Sequence, residues 1–178
     1  MKSVTLLRHA KSSWDDSVPR DLDRPLNDKG HRAAETMGRH VASLGLTWDC
    51  AVASPAVRVV ETLESFEQGL GQTIEAATDR RIYMAHVDTL VELVHEQDSA
   101  RRSLLLVGHN PGLEDLALLL SEKDAAPERA AIETKYPTAT LCQMEFDVDD
   151  WAEIAPGTGR IRLLVRPRDV DPTLGPDF

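Results

Sequence analysis

The chain has 178 residues, 42% of them hydrophobic and 28% charged, and 20 Lys and Arg residues against 30 Asp and Glu give a formal net charge of −10. This length fits one folded domain, and the acidic balance argues against a general nucleic-acid binder, whose affinity comes from cations set against phosphates. The apolar runs are far shorter than the roughly 20 residues of a membrane span, and the N-terminus lacks the long apolar core of a secretory signal, so we expect no membrane association and a cytoplasmic protein.

The first elements along the chain are a short strand and a long amphipathic helix. The β-branched and aliphatic residues 4–7 predict a buried strand, and the polar, proline-containing segment after them predicts a loop. Asn27 is a suitable N-cap for a helix over residues 28–44, in which apolar residues recur at helical spacing. Gly45 is a suitable C-cap for the same helix.

The same alternation of strand and helix continues along the chain. The apolar run Cys50–Ala53 predicts a second strand, and Ser54 with Pro55 predicts the N-cap and the first position of a helix. The remaining predicted elements are, in order, a strand at 73–76, a helix at 83–97, a buried strand at 103–107, a helix ending near Leu120, a surface excursion at 123–137, and strands at 138–146 and 160–165.

Alternating strands and helices predict an α/β fold, a three-layer α/β/α sandwich around a mostly parallel central sheet. No repeat, low-complexity tract or linker divides the chain. We therefore expect one domain over residues 1–166, followed by a proline-containing C-terminal tail over 167–178.

Histidine and arginine follow three of the predicted strands. Arg8 and His9 come directly after the first strand, Arg58 lies one helical turn beyond the second, and His109 follows the strand at 103–107. Because ligands bind at the carboxyl ends of the strands in an open α/β sheet, we expect these side chains to meet at one edge. Arg24, in the loop after the first strand, is placed to reach the same edge.

These residue types suit a phosphoryl group. Arginine presents planar, permanently charged donors that match phosphate oxygens, and free amides at a helix N-terminus near Pro55 would add to an anion site. A neutral imidazole among these cations can attack phosphorus and form a covalent phosphohistidine. Nearby positive charge lowers the pKa of such a histidine and keeps it unprotonated near pH 7.

Four segments, in order, carry a resemblance to a known family: LLRHAKSSW, RPLNDKG, SPAVRVVET and LLLVGHNPG. Together they resemble the histidine phosphatase superfamily, whose fold is phosphoglycerate mutase-like. Within it the chain is similar to the bacterial phosphohistidine phosphatase (SixA-type) branch, which has the short form without a cap domain. The similarity covers roughly residues 2 to 165.

The resemblance implies a role for each matching residue. His9 corresponds to the nucleophile, Arg8 and Arg58 to the residues that hold the phosphate, and His109 to the second histidine of the pocket. Arg24 corresponds to a further phosphate-binding arginine. The family uses no metal and no cofactor, so none is expected here.

One departure from the larger family members bears on the substrate. Those enzymes place a glutamate general acid in the region that here reads RRIYMAHVDTL, where no glutamate stands before Glu92. The missing acid favours leaving groups that depart easily, such as the imidazole of phosphohistidine, over alkoxides. Asp15, Asp16 or His86 remains a possible proton donor.

Three functions therefore stay open. The first is a phosphatase of phosphohistidine in proteins, acting through a phosphohistidine intermediate. The second is a phosphatase of a small phosphorylated metabolite, and the third is a module that binds phosphohistidine without turning it over. In each case the partner is a phosphorylated protein or a small phosphorylated molecule.

Overall fold

The computed structural model describes residues 1–14, 17–124 and 126–175; Asp15 and Asp16, two of the possible proton donors, lie outside this part. Six strands form one sheet: β1 (Lys2–Arg8), β2 (Cys50–Ala53), β3 (Ala76–Thr78), β4 (Ser103–Gly108), β5 (Leu141–Phe146) and β6 (Arg160–Val165). Their order across the sheet is β3-β2-β4-β1-β5-β6. The first four are mutually parallel, whereas β5 and β6 each run antiparallel to the preceding neighbour in this order.

Helices cover both faces of the sheet, and they are α1 (Asp28–Leu44), α2 (Val57–Leu70), α3 (Val87–His95), α4 (Gly112–Leu120), α5 (Pro127–Thr134) and α6 (Pro167–Val170). Alternate residues of β1 point to opposite faces, as the period of a strand requires. Val4 and Leu6 pack into the core under α3 and α4, while Leu7 packs into the core under α1 and α2. The expected three-layer α/β/α architecture with a mostly parallel sheet is confirmed.

The predicted caps of α1 are present. The side chain of Asn27 accepts a hydrogen bond from the backbone N–H of Gly30, and Gly45 ends the helix with a φ of 69°. Helices α1 and α2 then pack so closely that a Cβ on Gly38 would lie 2.0 Å from the carbonyl oxygen of Phe66. A Cβ on Gly69 would lie equally close to the carbonyl oxygen of Glu35, so glycine is required on both helices.

Helix α2 begins two residues later than the sequence predicts. The backbone N–H of Ser54 still donates to the carbonyl of Val107 on β4, so the chain remains extended beside β4 for one residue after β2 ends. Ala56 is therefore the N-cap, and Ser54 and Pro55 are not the first residues of the helix. The shift leaves Arg58 in the first turn of α2.

Further segments differ from expectation: the strand predicted at 73–76 forms at Ala76–Thr78, and the helix predicted at 83–97 spans Val87–His95. Residues 123–137 are more than a surface excursion, because they contain α5 and Tyr136, which is buried and donates from its hydroxyl to the carbonyl of Leu6. The expected tail begins with α6 and a 3₁₀ turn that buries Leu174 against the core under α1. A domain boundary at residue 166 stays a prediction. In the described part of the chain, no helix is both long and apolar enough to cross a bilayer.

Candidate active site

His9 lies directly after β1 and is held by its backbone and its ring. Its N–H donates to the carbonyl of Gly108 at 3.0 Å, and its Nδ1 lies 2.7 Å from the carbonyl oxygen of Ala10. Because a carbonyl oxygen can only accept, Nδ1 carries the proton of the neutral ring. The lone pair is therefore on Nε2, the nitrogen of a neutral imidazole that can act as a nucleophile.

The environment of His9 disfavours its protonation. The ring is buried, with 7% of the residue exposed. Burial is the main reason that its pKa falls to about 3, against a smaller opposing effect of the bond to Ala10. The charges of Arg8 and Arg58 and the nearby His109 lower the pKa further. His9 is thus neutral at pH 7, but burial contributes more to its low pKa than the positive charge from which the sequence analysis expects it.

His109 follows β4 and faces His9, with 5.3 Å between the two ring centroids. Its Nε2 lies 2.7 Å from the hydroxyl of Ser54, which itself accepts the N–H of Ala56. The Ser54 proton can therefore be donated to Nε2, which places the His109 proton on Nδ1; that atom is buried and has no hydrogen-bond partner among the described residues. Burial first, and then the charge of Arg58, lowers the pKa of His109 to about 4.

Two arginines are anchored at the base of the site. Arg58 donates from Nη1 to the backbone carbonyl of Asp21 at 2.8 Å and from Nη2 to its carboxylate at 3.0 Å. Its Nε is buried without a hydrogen-bond partner within the described part of the chain, so this guanidinium has donor capacity left for an anion. Arg8 donates from Nη1 to the carbonyl of Tyr136 at 2.9 Å, and the same carbonyl accepts from the amide of Asn110.

Asp21 links three side chains around the site. Its Oδ1 accepts from Nε and Nη2 of Arg24, and its Oδ2 accepts from Arg58 and, at 2.7 Å, from the hydroxyl of Tyr83. Burial alone would raise the pKa of this carboxyl, but these hydrogen bonds outweigh it and lower the pKa to about 2. Arg24 also donates to the hydroxyl of Ser12. Asp21 is therefore a fixed anion that holds Arg24 and Arg58 in place.

A pocket of about 340 Å³ brings these groups together, and its lining consists of Arg8, His9, Lys11, Ser12, Trp14, Arg24, Arg58, His109, Asn110, Lys135 and Thr138. Five of these residues are cationic, and none of the lining residues within the described ranges is acidic. All five residues that the sequence analysis selects thus lie around one cavity. His86 does not line it: its ring is exposed and caps α3 through the N–H of Asp88.

A larger cavity of about 510 Å³ lies at the opposite end of the sheet, beside the start of β2 and around Trp48 and Cys50. Its lining includes one arginine, Arg101, and no histidine among the residues that the structure describes. It therefore lacks the paired imidazoles and guanidiniums that make the smaller pocket suitable for phosphoryl chemistry.

No cluster of three or more His, Cys, Asp or Glu side chains placed to hold a metal ion occurs in the described ranges.

The sequence does not predict several residues of the site: the lining residues Lys11, Ser12, Lys135 and Thr138, and three that contact the selected residues, Asp21, Ser54 and Tyr83. Asp21 stands three positions before Arg24, the spacing at which helical side chains meet, and that spacing was the available signal for their ion pair. The sequence predicts Ser54 as a helix cap, whereas its hydroxyl contacts His109. Tyr83, whose ring lies 5.5 Å from that of His109, gave no signal in the sequence.

The sequence model of the histidine phosphatase superfamily (branch 1) matches residues 4–98, which include Arg8, His9 and Arg58. The chain belongs to this superfamily. Among the relatives of this histidine phosphatase family member is an uncharacterized chloroplastic protein of Arabidopsis thaliana, 30% identical over 182 residues, or 93% of this chain and 78% of that protein.

Solved structures of the superfamily share the fold. The putative phosphohistidine phosphatase SixA of Agrobacterium tumefaciens is 27% identical, with a TM-score of 0.76 over 93% of this chain and 98% of that one. The protein histidine phosphatase SixA in complex with tungstate, a phosphate analogue, is 18% identical, with a TM-score of 0.77 over 95% of this chain and 99% of that one. The chain therefore has the small histidine phosphatase fold of the SixA structures.

Proposed function

We propose that this protein is a phosphatase that transfers a phosphoryl group from phosphohistidine in a protein to Nε2 of His9 and then to water. The observation that carries the proposal is a neutral, buried imidazole with its lone pair on Nε2, beside a second histidine and two anchored arginines. Binding of the dianionic group is assigned to Arg8, Arg58 and Arg24.

The first step exchanges one P–N bond for another. Nε2 of His9 attacks phosphorus, the bond to the substrate imidazole breaks, and the departing nitrogen takes up a proton from solvent. Charge that develops on the phosphoryl oxygens is stabilised by the guanidiniums and by Nδ1–H of His109, which lacks a hydrogen-bond partner among the described residues. In the second step, water attacks phosphorus, the P–Nε2 bond breaks, and inorganic phosphate leaves.

The composition of the pocket favours a substrate whose leaving group departs without a proton from an acidic side chain. None of its described lining residues carries a carboxyl, and the nearby Asp21, with a pKa of about 2, is ionised at neutral pH and has no proton to give. An alkoxide leaving group depends on such a proton, whereas imidazole departs with much less assistance. This supports phosphohistidine over sugar phosphates as substrate. We further propose a cytoplasmic location, although the Arabidopsis relative is chloroplastic.

The test measures phosphate release, in the presence of EDTA, from a phosphohistidine-bearing protein and from a panel of sugar and glycerate phosphates. We expect preference for phosphohistidine, loss of turnover in His9→Ala, and acid-labile radioactive phosphate on the wild type but not on that variant. His86→Ala is the matched control, since it removes an exposed histidine outside the pocket.

Other outcomes lead to the other functions. Preference for a metabolite would contradict the proposed substrate and make Asp15 and Asp16 the next residues to replace. Tight phosphate binding without turnover of any substrate would identify a binding module. Full turnover by His9→Ala would overturn the mechanism.

A further inference from the structure

Trp14 is the most exposed aromatic residue at the pocket. It is 83% exposed, yet it lines the same cavity as His9 and Arg24. Isolated exposed apolar residues are common on protein surfaces and need no special explanation. Trp14 differs from such isolated residues because its indole lies at the mouth of a pocket lined by cations.

The indole is held by the phosphate-binding machinery itself. The guanidinium carbon of Arg24 lies 4.1 Å from the ring centroid of Trp14, within the range of a cation–π contact. Arg24 is in turn fixed by Asp21 and by the hydroxyl of Ser12, and its side chain is only 13% exposed. One face of the indole therefore rests on an anchored cation, and most of the rest of the ring is open to solvent.

We propose that Trp14 is a specificity residue that stacks on the planar aromatic ring bearing the phosphoryl group, the imidazole of phosphohistidine or a phenyl ring. This inference rests on the proposed function and defines its substrate class. When Arg24 holds the phosphoryl group, the ring attached to phosphorus is brought to the mouth of the pocket beside the indole. Offset stacking of two rings stabilises such a complex beyond the area that it buries, whereas a saturated substituent gains only the burial.

The test uses non-hydrolysable ligands, so that it does not depend on turnover. Binding of methylphosphonate, cyclohexylphosphonate and phenylphosphonate is measured by calorimetry for the wild type, Trp14→Ala and Trp14→Phe. The three ligands share the anionic group and differ in the presence and planarity of the ring. Met84→Ala is the matched control, because Met84 is also 83% exposed and lies next to Tyr83 but does not line the pocket.

We expect the wild type to bind phenylphosphonate roughly five- to tenfold more tightly than cyclohexylphosphonate. Trp14→Ala should abolish the preference for phenylphosphonate, and its affinity for methylphosphonate should stay within about twofold of the wild-type value. Trp14→Phe and Met84→Ala should keep the preference for phenylphosphonate. Equal affinity of the wild type for the two ring ligands would overturn the inference alone. An equal loss for all three ligands in Trp14→Ala would also overturn it, and would assign Trp14 to the positioning of Arg24. Failure of the wild type to bind any phosphonate or inorganic phosphate would overturn the proposed function as well.

Discussion

Asp21 accepts two hydrogen bonds from Arg58, one at its backbone carbonyl and one at its carboxylate. The two residues are 37 positions apart and come from the loop after β1 and from the first turn of α2. The same carboxylate also pairs with Arg24. One exposed acid thus fixes the direction of two guanidiniums that we assign to phosphate binding.

Replacement of Asp21 by alanine should weaken phosphate binding and lower kcat/KM by about tenfold, because the carboxylate bonds to both arginines are lost and only the backbone carbonyl still holds Arg58. Inorganic phosphate affinity and steady-state kinetics measure the two effects. Asp23→Ala is the control, since Asp23 ends the short 3₁₀ turn that Asp21 begins (Asp21–Asp23) but pairs with the exposed Arg20. Tighter phosphate binding by Asp21→Ala would show instead that the carboxylate competes with phosphate for the arginines.

Asp21 and His9 show which parts of the site can be predicted from the sequence and which cannot. The positions of Arg8, His9 and His109 follow from strand ends, because parallel strands deliver their carboxyl ends to one edge of the sheet. The partner of Arg58 depends instead on how the loop after β1 folds back over α2. That folding results from contacts between distant segments, which local spacing does not encode.

The same limit explains the start of α2. Ser54 followed by proline is a good local signal for a helix N-terminus. The backbone bond from Ser54 to Val107 on β4 outweighs it, and the hydroxyl turns to His109. Local propensity predicts that α2 exists, whereas the hydrogen bond between Ser54 and Val107, which are 53 positions apart, determines where the helix begins.

Ser54→Ala should lower kcat by about tenfold, since it leaves Nε2 of His109 buried without a partner and removes the bond that sets its tautomer. The affinity for phosphate should change less than kcat, because the arginines are untouched. Steady-state kinetics separate the two parameters.

A second serine–histidine pair offers the control for this variant. The hydroxyl of Ser65 lies 2.8 Å from Nδ1 of His31, on α2 and α1, and neither residue lines the pocket. Ser65→Ala should keep wild-type kcat. Unchanged kcat in Ser54→Ala would remove the positioning role that we assign to Ser54.

The low pKa values of His9 and His109 predict that the protein loses stability as the pH falls from 7 to 5. In the unfolded chain each ring takes up a proton near pH 6.5, whereas in the folded protein it does so only near about 3 and about 4. The unfolded state therefore binds more protons throughout this window, which favours unfolding by about 2 kcal/mol per histidine at pH 5.

Denaturant unfolding at pH 7 and pH 5, in buffers without phosphate, measures this effect. The pH-dependent loss should be about half as large in His9→Asn as in the wild type, because one of the two buried rings is removed. His86→Asn, which leaves both pocket rings in place, is the control. An equal loss in His9→Asn and the wild type would contradict the assignment.

The close packing of α1 on α2 helps to fix the position of Arg58, since α2 carries that residue. Gly38→Ala should reduce the free energy of unfolding by about 3 kcal/mol, because its Cβ would lie 2.0 Å from a backbone carbonyl that cannot move without displacing α2. Gly71→Ala is the comparison: it meets no atom within 4 Å and is strained only by its φ of 76°, so its cost should be nearer 1 kcal/mol. Equal costs for the two variants would mean that the helices separate easily, and phosphate affinity in Gly38→Ala would then show whether Arg58 moves with α2.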